Sequence, residues 1–503
     1  MVENATVHEL THFVGGKRVP GHLIDLRTCS IPTPARCRPA FPASKAETEA
    51  IIANAEEAQQ VWAAFNPQKR ARVLMKFLQL AQAEMDSLAR LLSSEHGKTV
   101  ADAKGDIQRG LEVIEFAVGA PHLLKGEFTE CRHRHRRVLH APAARRRCRH
   151  HALQLPAMIP LWKAGPALAA GNAFILKPSE RDPSVPLRLA ELFLEAGLPA
   201  GVFNVVNGDK EVVDVLLTDD RIKAVGFVGS TPIAQYIYET AAAHGKRAQC
   251  FGGAKNHAIV MPDADLDEVA DALIGAGYGS AGERCMAISV AVPVGEETAD
   301  ALVAKLKERV AKLKIGRSDD EGVDFGPLVC QDALDRVNNY VQIGIDEGAT
   351  AVVDGRGFTL EGHEGGFFAG ATLFDNVTSD MRIYKEEIFG PVLQVVRAAD
   401  YEEALRLPTE HEYGNGVSIF TRDGDTARDF TARVNVGMVG VNVPIPVPIA
   451  YHTFGGWKRS GFGDLNQHGP DSFRFYTKTK TVTQRWPSGK KEETNHFVIP
   501  TMN

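Results

Sequence analysis

The pattern of apolar and polar positions divides the chain into a helical start and a long alternating remainder. Residues 44–65 place Ile51, Ala55, Ala58 and Trp62 at helical spacing behind a Ser44/Glu47 capping box, which predicts an amphipathic helix. Residues 69–95 and 99–119 read as a second and a third helix. From Phe174 onward short apolar runs alternate with helical ones. Strands are expected at 174–177, 202–206 and 224–228, and helices at 184–196, 210–218 and 231–243. Gly197-Leu198-Pro199 ends one of these helices, and Asn207-Gly208-Asp209 closes one of these strands. Such alternation implies a parallel sheet with helices on its faces. It resumes after Gly253, with strands at 258–261 and 288–294 and helices at 266–276, 299–313 and 329–347. That is a second α/β unit. The end of the chain, 473–498, is polar and strand-like over 474–483, as in an arm that pairs with a partner subunit.

Composition narrows the function classes. The chain has 503 residues, 44% hydrophobic and 24% charged, with a net charge of −6. This gives no basic face for nucleic acid or for an anionic membrane. Residues 1–16 are mixed and polar and read as no secretory signal. No apolar run approaches the ~18 residues needed to span a bilayer. The expected location is cytoplasmic, with reduced thiols, and seven cysteines in so long a chain make no disulfide framework.

Two stretches do not match their surroundings. Residues 131–155 (CRHRHRRVLHAPAARRRCRHHALQL) hold eight arginines and five histidines and no acid. Residues 21–41 are milder but also rich in Arg, Pro and Cys. A zinc site would suit Cys131, His133, His135, Cys148, His150 and His151 by residue type. Their spacing fits no usual four-ligand pattern, and the arginines repel a cation. A nucleic-acid arm would be expected at a terminus rather than mid-domain. The favoured reading is a GC-rich gene translated in a shifted frame that is restored downstream. An intact mass differing from this sequence would support it.

The residues suited to chemistry lie in glycine-rich turns. Gly279-Ser280-Ala281-Gly282-Glu283-Arg284-Cys285 delivers a cysteine between a helix and a strand. A thiolate attacks an aldehyde readily, and backbone N–H groups in such a turn can hold the oxyanion. Alone it reads more readily as a core cysteine. Gly229-Ser230-Thr231 follows a strand and opens a helix, which suits a pyrophosphate or an ordinary cap. Lys177-Pro178-Ser179-Glu180 follows another strand and could hold ribose hydroxyls. Glu387-Ile388-Phe389-Gly390-Pro391 could place a carboxylate on a second ribose.

Taken together and in order, these stretches resemble the aldehyde dehydrogenase superfamily. The matching segments are 165–180 (GPALAAGNAFILKPSE), 226–234 (GFVGSTPIA), 252–256, 282–285, 387–393 (EIFGPVL) and 454–463 (FGGWKRSGFG), and the likeness covers nearly all of 42–490. Segments 95–99 (EHGKT), 103–115 (AKGDIQRGLEVIE), 251–257 (FGGAKNH), 282–286 (GERCM), 438–457 and 483–489 (TQRWPSG) are similar to its CoA-acylating branch, which acts on methylmalonate semialdehyde.

The resemblance implies a fold and a set of roles. The fold would be α/β: a Rossmann-type NAD-binding domain (1–120 and 146–251), a second α/β catalytic domain (252–470) and a small β oligomerisation arm (121–145 and 471–503). Cys285 would be the nucleophile. Lys177 and Glu180 would hold the adenosine ribose, Gly229 and Ser230 the pyrophosphate, and Glu387 and Phe389 the nicotinamide side. The carboxylate of Glu180 disfavours a 2′-phosphate, hence NAD. The water-activating Glu of hydrolytic relatives is matched to Cys250, a poor base, which fits acyl transfer to coenzyme A as co-substrate. Arg109 and Arg284 would grip a substrate carboxylate. The oxyanion-holding Asn of the family is matched by Gln154. No metal is implied. The implied reaction is NAD- and CoA-dependent oxidative decarboxylation of methylmalonate or malonate semialdehyde to propionyl-CoA or acetyl-CoA, by a homodimer or homotetramer. A CoA-independent dehydrogenase, for example of succinate semialdehyde, and a catalytically dead dehydrogenase-like protein are the rivals.

Overall fold

The computed structural model describes residues 11–21, 42–132, 135–140, 148–150 and 155–485. The helix Lys45–Ala64 begins at Ser44 with the expected capping box, in which the Glu47 N–H donates to Ser44 Oγ at 3.2 Å. It buries Ile51, Ile52, Ala55 and Trp62. The single helix expected over 69–95 is two, Pro67–Ala83 and Met85–His96. The break falls at Glu84 (φ −100°, ψ 12°), whose carboxylate receives two N–H groups of Arg188, one of them Nε at 2.9 Å. That tertiary tie lets the helices bury separate faces, Leu74, Phe77 and Ala81 on one and Leu88, Ala89 and Leu92 on the other. The third helix, Val100–Val118, is capped by Thr99.

The first sheet is built as the alternation predicts. Strands Phe203–Val205, Phe174–Leu176 and Cys148–His150 are neighbours in that order and parallel. Ala224–Val228 lies beside Cys148–His150 and pairs in parallel with Arg247–Phe251. Two short strands, His12–Val14 and Lys17–Val19, continue this sheet antiparallel beyond Phe203–Val205. Among its parallel strands Cys148–His150 is the first in sequence, and the order reverses between it and Ala224–Val228. In doubly wound sheets ligands bind at that switch point, beyond the carboxyl ends of the strands. The basic segment thus supplies the central strand of this sheet. It also supplies His135–His140, which pairs with Glu127–Arg132 and Lys480–Arg485 in a three-stranded arm.

The second sheet runs Thr350–Val353, Thr372–Asp375, Val392–Val395, Ile288–Pro293, Asn256–Val260, Gly416–Phe420 and Met438–Val441. All neighbours are parallel except the first pair. Near its end the chain returns to the first unit. Gly461–Phe462 pairs with Arg247–Phe251. The strand expected over 474–483 is instead the helix Gly469–Tyr476 followed by the strand Lys480–Arg485. Alternation in Phe473-Arg474-Phe475-Tyr476 mimics a strand, but Pro470 starts a helix and Phe473, Phe475 and Tyr476 join the first hydrophobic core. Residues 471–476 therefore stand with that core rather than with the arm. Among the described residues no helix is long and apolar enough to cross a membrane.

Candidate active site

The helix Leu266–Tyr278 runs into a tight turn, Gly279–Gly282, before the strand Ile288–Pro293. Ser280 and Ala281 in that turn have φ of 55° and 52°. Left-handed backbone costs non-glycine residues about 1–2 kcal/mol each, and such strain gathers at functional turns. Gly282 has φ 71°, and a Cβ there would lie 2.1 Å from the Gly390 carbonyl oxygen, so only glycine lets the turn press against the 387–391 loop. Cys285 follows, half-buried. Its carbonyl oxygen accepts from Asn256 Nδ2 and Asn415 Nδ2, both at 3.0 Å. It packs against an apolar wall that includes Trp162, Phe251, Met286, Met438 and Phe454. Burial, then the nearby Glu387 charge, pushes the thiol up to about 12, against the pull of the Cys285 and Met286 N–H groups. At neutral pH the resting thiol is protonated.

The residue expected to stand for the water-activating Glu is placed differently. Cys250 is fully buried in a core with Ile51, Val206, Val225 and Ile237. Successive side chains of a strand point to opposite faces, so the neighbour Phe251 is the one facing the Cys285 wall. Phe251 stacks edge-on to Phe454 with centroids 6.1 Å apart, and Lys163 Nζ lies 5.1 Å over its ring. The side chain this strand presents near Cys285 is thus an aromatic ring, which takes no proton from water.

Of the residues expected to hold a nucleotide, Gly229 and Ser230 follow Ala224–Val228 at the switch point, Lys177 and Glu180 follow the neighbouring strand Phe174–Leu176, and Glu387 and Phe389 precede Val392–Val395 of the second sheet. Lys177, after Phe174–Leu176, is buried and ion-paired with the half-exposed Glu180. Ser230 is exposed and starts the helix Thr231–Ala243, whose first turn receives no side-chain cap. Open N–H groups at the start of a 13-residue helix fit an anion. Thr231 Oγ1 instead accepts the Gly253 N–H at 2.8 Å, and the Gly229 N–H goes to the Phe251 carbonyl at 3.1 Å. Glu387 Oε1 accepts the Ala254 N–H at 3.0 Å, and burial raises its carboxyl. Phe389 is held at φ 57°. A cavity brings together Cys285, Arg284, Asn256, Glu387 and Phe389.

The two candidate carboxylate-binding arginines both meet the helix Val100–Val118. Arg109 lies on it, donates to Glu112 and, from Nη2, to the Pro448 carbonyl at 2.7 Å. The Trp162 indole donates to the Arg109 carbonyl at 3.1 Å. Arg284 Nη2 donates to Asp102. Gln154 lies outside the described residues. Several site residues carried no separate signal in sequence. Asn415 sits in no motif. Trp162, Phe454 and the buried His468 form an aromatic group, the last with φ 63° and its ring centroid 4.2 Å from that of Trp162.

Comparison with known proteins identifies the family and the fold. The family model for the aldehyde dehydrogenase family matches residues 38–482. A malonate-semialdehyde dehydrogenase of Pseudomonas aeruginosa is 54% identical over 457 residues, covering 89% of this chain and 90% of that protein. One from Halalkalibacterium halodurans is 43% identical and covers 97% and 100%. Among solved structures, a Sinorhizobium meliloti 1021 protein complexed with NAD, provisionally assigned as a methylmalonate-semialdehyde dehydrogenase, superposes with a TM-score of 0.95 at 61% identity, covering 97% and 100%. The methylmalonate-semialdehyde dehydrogenase of Oceanimonas doudoroffii gives 0.92 at 51% identity, covering 95% and 99%.

Proposed function

The chain belongs to the aldehyde dehydrogenase family, and from that premise we propose that it oxidises malonate or methylmalonate semialdehyde with NAD and transfers the acyl group to coenzyme A with loss of CO2. The substrate class follows the names its relatives carry. The observation that carries the acyl-transfer reading is Phe251: the side chain this strand turns to the Cys285 wall cannot activate water.

In this reading the Cys285 thiol gives up its proton to solvent, Sγ bonds to the aldehyde carbon, and the carbonyl π electrons move to the aldehyde oxygen, which takes the charge. The Cys285 backbone N–H, with the amide at position 154, holds that oxygen. Lys177, Glu180, Gly229, Ser230, Glu387 and Phe389 hold NAD, and the uncapped start of Thr231–Ala243 is suited to its pyrophosphate. NAD, when bound, supplies the hydride acceptor. The acyl group is then a thioester on Cys285. Arg109 and Arg284 hold the substrate carboxylate until its C–C bond breaks; it leaves as CO2, and the electron pair left on the α-carbon, delocalised into the thioester carbonyl, takes a proton from solvent. The thiol of coenzyme A attacks the thioester carbonyl, and Cys285 Sγ leaves.

Steady NADH formation from malonate semialdehyde should need coenzyme A and give acetyl-CoA. Cys285→Ala should lower it by on the order of 10⁴-fold or more while NAD still binds. Equal turnover without coenzyme A, yielding free acid, contradicts the acyl-transfer reading. Turnover retained by Cys285→Ala removes the nucleophile.

A further inference from the structure

The EHGKT and AKGDIQRGLEVIE segments carry more charge than the proposed reaction uses, and the fold gathers it beside Arg284. Lys98 is buried, with Nζ 3.4 Å from Asp106 Oδ2 and 3.8 Å from Asp102 Oδ2. Asp106 is also buried, and its Oδ1 accepts the Met158 N–H at 2.7 Å, at the start of the helix that carries Trp162. Asp102 Oδ1 accepts from Arg284 Nη2. Two carboxylates and two cations therefore balance along one path, from the Met158 backbone to the residue beside Cys285. Burial raises both carboxyls. At Asp102 the charges of Lys98 and Arg284 outweigh it and hold the group below its usual range, whereas Asp106 is left at about 6.

An arginine has a long stem and keeps a fixed direction only if something holds its fork. Arg284 is held on two sides. Its Nη1 lies 2.7 Å from where a Gly279 Cβ would be, so the turn makes room for it, and Asp102 takes one edge of the guanidinium. The other oxygen of Asp102 accepts no hydrogen bond among the described residues but faces the charge of the buried Lys98, 3.8 Å away, and Lys98 is itself anchored by Asp106.

We propose that Asp102, paired with the buried Lys98, is the positioning residue that aims Arg284 at the substrate carboxylate and so sets the preference for carboxylated over uncharged aldehydes. This rests on the reading of Arg284 given above. The experiment compares kcat and KM for malonate semialdehyde and for propanal. In Asp102→Asn, KM for malonate semialdehyde should rise about 10- to 100-fold, the range expected when a charge-assisted hydrogen bond is lost. KM for propanal and the Kd for NAD should change little. Equal loss on both aldehydes makes Asp102 merely structural and overturns the proposal.

A second arm separates the two readings. Arg284→Leu should abolish the preference, and adding Asp102→Asn to it should cost no more. If Arg284→Leu leaves the preference intact, the Arg284 reading fails. If it abolishes the preference but Asp102→Asn does not, only the present proposal fails. Should Asp102→Asn not fold, Asp102→Glu keeps the charge beside Lys98 and moves the carboxylate by one methylene. It should reduce the preference in part, and an unchanged preference overturns the proposal.

Discussion

Cys285, the proposed nucleophile, rests in its neutral form. Its thiol is pushed up to about 12, so the thiolate fraction at neutral pH is minute and grows as pH rises. Alkylation of Cys285 by iodoacetamide in NAD-free protein should accelerate about tenfold per pH unit between pH 7 and 9. A plateau below pH 8.5 would show a lower value. At this scale the sequence exposed what lies within one loop. The Gly282-to-Met286 stretch is contiguous, so its turn and its thiol are read together. The base position was matched to Cys250, whereas the strand turns Phe251 toward the Cys285 wall, because a motif does not state which face of a strand a residue takes. Asp102 was invisible as a partner of Arg284, since 182 residues separate them.

Among elements, the junction of Met85–His96 with Ser184–Glu195 repays closer reading. The second helix has no capping side chain of its own at Pro183. Glu95 serves across space, accepting the Ser184 N–H at 3.0 Å and the Ser184 hydroxyl. Burial pushes this carboxyl up to about 7, against those bonds. Its folded value thus exceeds its unfolded one. The stability it contributes is complete below about pH 4.5 and is lost as pH rises through about 7. Glu95→Gln, which cannot ionise, should match the parent near pH 4.5 and melt higher by about 1–3 °C at pH 7–8. Calorimetry across that window checks it, and a gap that narrows with rising pH refutes it. Periodicity located most helices and strands within a few residues. It missed the break at Glu84 because an ion pair to Arg188, not a local breaker, makes it. It misread Gly469–Tyr476 because alternating aromatics fit a strand as well as a short buried helix.

On the scale of the whole molecule, two α/β units share one site. The first offers the switch point between Cys148–His150 and Ala224–Val228, and the second offers Cys285 and the 387–391 loop. Strand order across each sheet follows from long-range pairing, which periodicity does not encode, so the unit count was legible and the central place of Cys148–His150 was not. Beside the edge strand Met438–Val441 a row of apolar side chains is exposed, among them Val443 at 48%, Tyr451 at 58% and Trp457 at 50%. Exposed apolar side chains of this size are the surface expected to meet another chain if the proposed homodimer or homotetramer forms. Sedimentation should give two or four times the 54.6 kDa chain mass, with Val443→Lys shifting it toward one. A monomeric parent would count against this surface as a contact. The burial of Cys285 has one more consequence, for how long such an assembly lasts. Peroxide oxidises thiolates far faster than thiols. A molecule that holds its nucleophile protonated between turnovers is shielded from irreversible oxidation while idle, and its damage should scale with the work it does rather than with its age.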